Sequence, residues 1–105
     1  MNAPQKIRVQ DIPDFDIARF LDTEERIADY LDAVLQDNDA DLLVAALGDI
    51  ARARGMTQVA KKSGISREAL YRTLKTDKKP RFDTISRVCA ALGLRLTVQP
   101  IQAAA

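Results

Sequence analysis

The chain has 105 residues, 47% of them hydrophobic and 5% aromatic, enough for one small domain with a modest core and too few for a second. It contains no His, no Trp and one cysteine, Cys89, so neither a disulfide framework nor a multi-ligand His/Cys metal site can be built within one chain, and a cytoplasmic setting is expected. The net charge of +1 hides a separation: residues 1 to 50 hold four bases against twelve acids (net −8) and residues 51 to 105 twelve bases against three acids (net +9), so the halves are expected to face different partners.

In chain order, MNAPQKIRVQDIPDFD lacks the apolar core of a secretory signal, and no later run approaches the roughly 20 residues needed to span a bilayer, so no membrane association is expected. Residues 1 to 22 read as an arm, with Ile7 and Val9 in a strand-like KIRVQ patch and Ile17, Phe20 and Leu21 on one side of a helical turn. Thr23 precedes Glu24 and Glu25 and can cap a helix whose apolar stripe is Ile27, Tyr30, Leu31, Val34 and Leu35. DNDAD ends it and caps the next, from about Asp41 to Arg54, with Leu43, Ala46, Leu47 and Ile50 on one face and Gly55 as the stop. Gly48, inside that helix, costs about 1 kcal/mol relative to Ala and points to a close helix contact.

Thr57 is expected to cap a helix through about Ser63, Gly64 to turn the chain, and Ser66 to cap another through about Leu74. Lys75 to Pro80 form a basic loop. A helix from about Phe82 to Leu92 carries Phe82, Ile85, Val88, Cys89 and Leu92 on one stripe and closes at Gly93. LRLTVQ, Leu94 to Gln99, alternates apolar and polar and predicts a strand ending at Pro100, and residues 100 to 105 form a tail. The fold class is mainly all-α, a compact bundle of about five to six helices over residues 23 to 99 plus a short C-terminal β-strand.

The stretch MTQVAKKSGISREALYRTL has the pattern of two helices crossing over a tight turn. Ala60 is small where backbones approach, Gly64 tolerates positive φ, and Val59, Ile65 and Leu70 anchor both helices. The other face of the second helix presents Ser66, Arg67, Glu68, Tyr71, Arg72 and Lys75. Arg can donate to O6 and N7 of guanine, Glu can accept from N4 of cytosine, and Ser can bond a base or a phosphate, so this face suits the major groove. Gln58, at the start of the preceding helix, suits a phosphate. Lys61, Lys62, Lys78, Lys79 and Arg81 flank it and can add salt-sensitive phosphate contacts. An ordinary helical hairpin with a solvated basic face is the alternative. The agreement of anchors, glycine and basic flanks favours DNA binding.

These residues carry a resemblance. Leu47 to Val98 resembles the Cro/C1-type (XRE) helix-turn-helix domain, and the wider run from YLDAVLQ at Tyr30 to LGLRL at Leu96, about two-thirds of the chain, closely resembles the addiction-module antidote proteins, a group that FDIARFL also fits. The resemblance implies an antitoxin that neutralises a RelE/ParE-like toxin and binds operator DNA to repress its own operon, usually as a homodimer. Thr73 departs from the wider XRE class, where many relatives carry an apolar residue. Leu74 is expected to supply that anchor.

Cys89, on an apolar stripe, reads as an inert buried thiol. Tyr30 reads as a core-edge residue. Tyr71 can pack under the turn or offer its hydroxyl to a phosphate, and packing with a polar tip at the DNA edge is favoured. No nucleophile and base pair up, no Gly-rich loop cradles a phosphate, and neither catalysis nor a cofactor is expected. Two rivals to the antitoxin stand beside it: a stand-alone repressor, and an interaction module that has lost DNA binding.

Overall fold

The computed structural model describes residues 20–75 and 77–101, and its described elements are five helices. They are α1 (Glu24–Gln36), α2 (Ala40–Arg54), α3 (Met56–Ser63), α4 (Arg67–Thr73) and α5 (Phe82–Ala91). Most begin and end where local chemistry dictates. Thr23 Oγ1 accepts from the Arg26 amide at 3.1 Å, and Asp39 Oδ1 accepts from the amides of Asp41 and Leu42 at 3.0 and 3.2 Å, so each supplies an acceptor for otherwise orphaned helix donors. Asn38 between them takes a left-handed φ of 54°, which Asn tolerates better than most residues. Gly93 (φ 81°) closes α5 in a double-bonded cap: the Leu94 amide donates to the Cys89 carbonyl at 2.9 Å and the Gly93 amide to the Ala90 carbonyl at 3.0 Å.

Packing runs as a chain of neighbours: α1 against α2, α2 against α3, and α3 against both α4 and α5. The largest fully buried side chains are Leu21, Ile27, Leu47, Ile50, Leu70 and Val88, drawn from the segment before α1 and from all the helices except α3, which contributes Met56 and Val59 to the same cluster. The charge separation along the chain thus divides between α1 with α2, which pack together, and α4 with α5, which both pack on α3. Among the described residues, 20–54 carry nine acids and three bases, and 55–101 carry ten bases and three acids.

Several expectations are corrected. Leu94 to Gln99 forms no strand among the described residues. Alternation shows which side chains share a side, but a strand exists only where a neighbour takes its backbone hydrogen bonds, and here none does. The KIRVQ patch and Ile17 lie outside the described residues. Phe82, expected on the apolar stripe of α5, is 72% exposed, because it is the first residue of the helix and projects past the surface that buries Val88, Cys89 and Leu92. Leu35, at the far end of the α1 stripe, is 49% exposed, and Phe20 is also exposed while Leu21 is fully buried. Thr57 is not a cap: Gly55 (φ 102°) bends the chain between α2 and α3 by itself, so α3 starts at Met56 with Thr57 already inside it.

Candidate nucleic-acid interface

The turn between α3 and α4 is built from four consecutive residues. Gly64 adopts φ 73° and ψ 16°, and its amide donates to the Ala60 carbonyl at 3.0 Å. The buried Ser63 hydroxyl donates back to the same carbonyl at 3.4 Å and accepts from the Ile65 amide at 3.2 Å. Ser66 Oγ then accepts from the Ala69 amide at 3.1 Å, opening α4. The turn thus meets its own polar demands locally, and its direction is set by a left-handed residue that glycine adopts at little cost.

The rotation of α4 about its axis decides what it presents. Leu70 (fully buried) and Leu74 (4% exposed) point into the core, so Leu74 does supply the anchor expected of it. Thr73 is half-buried and satisfies its hydroxyl by donating to the Ala69 carbonyl at 2.7 Å. With that side fixed, Ser66, Arg67, Glu68, Tyr71, Arg72 and Lys75 are all exposed, as are Gln58, Lys61, Lys62, Lys78, Lys79 and Arg81. On α3, Val59, Ser63 and Met56 face inward, leaving Gln58, Lys61 and Lys62 on the outer side. The basic loop is held in a turn by the Lys78 amide donating to the Lys75 carbonyl at 3.0 Å.

Charge pairing separates this face from the arginines of α1, α2 and α5, although Arg95, beyond α5, is likewise exposed without a carboxylate partner among the described residues. Arg26, Arg52, Arg54 and Arg87 each face a carboxylate, on Asp22, Asp49, Glu24 and Asp83. Among the described residues, none of the cations of the α3–α4 face and its loop has such a partner: not Lys61, Lys62, Arg67, Arg72, Lys75, Lys78, Lys79 or Arg81. Exposed cations without carboxylate partners raise the local positive potential and attract a polyanion.

Two features lie outside the expectations drawn from the sequence. Tyr71 is 41% exposed rather than packed under the turn, and the Arg67 guanidinium carbon sits 5.6 Å from its ring centroid. Arg87 of α5 lies across the turn, its guanidinium 3.0 Å from where a Cβ on Gly64 would be, which adds a further cation beside α4. Its spacing to Asp83 reads as an ordinary pair within one helix, and that pair is present at 3.7 Å, so sequence alone hides its reach. Gln58 and Lys62 also line a groove of about 260 Å³ with Glu24, Arg54 and the end of α5. The groove mixes both signs of charge.

Away from this face, burial pushes the Cys89 thiol above its usual range, and burial followed by the Asp49 carboxylate does the same for the half-buried Tyr30 hydroxyl. Among the described residues no cluster of His, Cys, Asp or Glu has the makings of a metal site, and no helix is long and apolar enough to cross a membrane.

Residues 11–100 match the model of a family described as probable addiction module antidote protein. A protein of Haemophilus influenzae (strain Rd), described only as uncharacterized, is 47% identical over 90 residues, covering 86% of this chain and 93% of its own length. No solved structure matches the chain.

Proposed function

Because the chain belongs to the family of probable addiction module antidote proteins, we propose that it is the antitoxin of a two-component module, binding a RelE/ParE-like toxin and repressing its own operon by binding operator DNA. Antidote membership calls for a toxin partner. The further reading, operator binding through α4, rests on one observation above all: eight cations of α3, α4 and the loop after it are exposed without carboxylate partners, while Arg26, Arg52, Arg54 and Arg87 are paired. Exposed ion pairs add little to stability, so leaving these cations unpaired costs the fold little and keeps them free for phosphates.

In this reading α4 lies in the major groove as the second helix of a helix-turn-helix, with Arg67, Glu68 and Arg72 reaching base edges. Gln58, Lys61, Lys62, Ser66, Lys75, Lys78, Lys79 and Arg81 position the domain on phosphates, which fixes register without reading sequence. The acidic α1–α2 pair offers the toxin, a basic protein in this reading, a surface of opposite sign, and electrostatic complementarity of that kind speeds encounter. The protein acts by binding and not by catalysis.

The same reading includes a homodimer, because two copies of a short recognition helix about 34 Å apart read a two-fold operator far better than one. The unpaired 94–101 segment, with Leu96, Val98 and Ile101 exposed, is available to such an assembly. Two measurements test the proposal. The wild-type protein should shift its own upstream DNA in a gel and co-purify with the product of the neighbouring gene. Arg67→Ala and Arg72→Ala should each weaken specific binding by about 1–3 kcal/mol. Unchanged affinity in both variants removes α4 as the reading helix, and light scattering that shows a monomer at DNA-saturating concentration removes the dimer.

A further inference from the structure

Arg67 and Tyr71 stand one helical turn apart on α4, both exposed, with the guanidinium carbon 5.6 Å from the ring centroid. That distance is within the range of a cation–π contact, and none of the carboxylates of the described residues competes for Arg67. The geometry has two consequences. A free arginine on a surface samples many rotamers, and holding it against a ring reduces what must be ordered when it binds. The Tyr71 ring, 41% exposed, still presents apolar surface outward.

We propose that Arg67 and Tyr71 form one reading unit whose preferred target is a guanine adjacent to a thymine. It rests on the operator-binding reading above. Arg67 donates two hydrogen bonds to O6 and N7 of the guanine, and the Tyr71 ring takes the neighbouring thymine's 5-methyl group, the one apolar feature of the major groove. Tyr71 is thus both a positioning residue for Arg67 and a specificity determinant of its own. Both roles belong to the ring, and the hydroxyl is dispensable. The choice of Tyr rather than a short polar residue at this place follows, since only a ring serves both the guanidinium and the methyl group.

The test uses the full-length protein and its upstream DNA with single-base replacements. Replacing the critical guanine by 7-deazaguanine removes the N7 acceptor. Replacing the adjacent thymine by uracil removes only the methyl group. The wild-type protein should lose about 5- to 100-fold in affinity on the first change and about three- to fivefold on the second. Tyr71→Phe should keep both sensitivities. Tyr71→Ala should lose the response to uracil and show a reduced response to 7-deazaguanine, and Arg67→Ala should lose the response to 7-deazaguanine altogether. Tyr71→Ala with both responses intact overturns the proposal, and so does Tyr71→Phe behaving like Tyr71→Ala, which would assign the hydroxyl to a phosphate. Sequence-selective binding by the wild type with neither replacement felt overturns the unit but leaves operator binding standing, whereas no selective binding at all overturns both. Because Tyr71 and Arg67 are exposed, unchanged circular dichroism is expected for every variant.

Discussion

A Cβ on Gly48 would lie 2.9 Å from the carbonyl oxygen of Leu74, so α2 and the end of α4 meet backbone to backbone. The glycine inside α2 costs helix propensity, and this contact explains why it stands there. It also ties the orientation of α4 to α2. Gly48→Ala gains about 1 kcal/mol of propensity but forces a backbone carbonyl to move. The expected net result is a loss of about 1–3 kcal/mol of stability, the usual cost of overpacking. Thermal unfolding followed by circular dichroism checks it, and an unchanged or higher midpoint would show that the two backbones separate freely.

Leu70 and Phe82 are expected to differ sharply in their response to truncation. Leu70 is fully buried between α4 and the rest of the core, so Leu70→Ala should cost about 2–5 kcal/mol. Phe82 is 72% exposed at the start of α5, so Phe82→Ser should change stability by no more than about 0.5 kcal/mol. Urea unfolding of both variants decides. A large loss at Phe82 would mean that its ring is covered in solution, by a second copy or by another segment.

Gly64 holds the turn with φ 73° and the Arg87 guanidinium 3.0 Å from its would-be Cβ. Gly64→Ala should cost about 1–2 kcal/mol from the left-handed backbone alone. The crowding against Arg87 adds less, because a long side chain can move aside. Gly64→Asn should be milder than Gly64→Ala, since Asn visits this conformation more readily despite its greater bulk. The order of the two melting temperatures is the readout, and Ala above Asn would contradict the backbone account.

Alkaline pH should destabilise the fold through Cys89 and Tyr30, whose deprotonation the folded state resists. Both groups lose their protons more readily in the unfolded chain, so their contribution is complete below the ordinary values of about 8.5 for a thiol and 10 for a phenol and declines as pH rises past them. Stability measured by urea unfolding should therefore fall from about pH 8.5 upward, and Tyr30→Phe should flatten the later part of that fall. In the same vein, Cys89 should react with iodoacetamide at about pH 8 only as fast as the protein opens.

Lys78 and Lys79, exposed in the loop after α4, should behave unlike Arg67 on DNA. Replacing either with Ala should lower affinity for every sequence alike and reduce the slope of log affinity against log salt by about 0.9 for each phosphate no longer neutralised. A titration at several salt concentrations separates this from base reading. A weakening that depends on sequence but leaves the salt slope unaltered would place these lysines on bases instead.

Most features whose partners lie within a few residues could be read directly from the sequence, the expected cap at Thr57 excepted, because Gly55 starts the helix before it. The caps at Thr23, within DNDAD (at Asp39) and at Ser66 and the stops at Gly55, Gly64 and Gly93 each satisfy backbone groups no more than five residues away, so local chemistry is enough to place them. The inward positions Val59, Leu70 and Leu74 follow from helical spacing for the same reason. Tertiary structure decided what depends on a neighbour distant in sequence. Phe82 and Leu35 satisfy the periodicity of their helices but extend past the surface that covers the stripe, and where that surface ends is set by other elements. The alternation in Leu94 to Gln99 describes a strand that finds no pairing neighbour among the described residues, and no pattern within six residues can supply one. Likewise the free cations around α4, the reach of Arg87 over Gly64 and the contact of Gly48 with Leu74 exist only because the packing of the helices brings some charges and backbones together and keeps others apart.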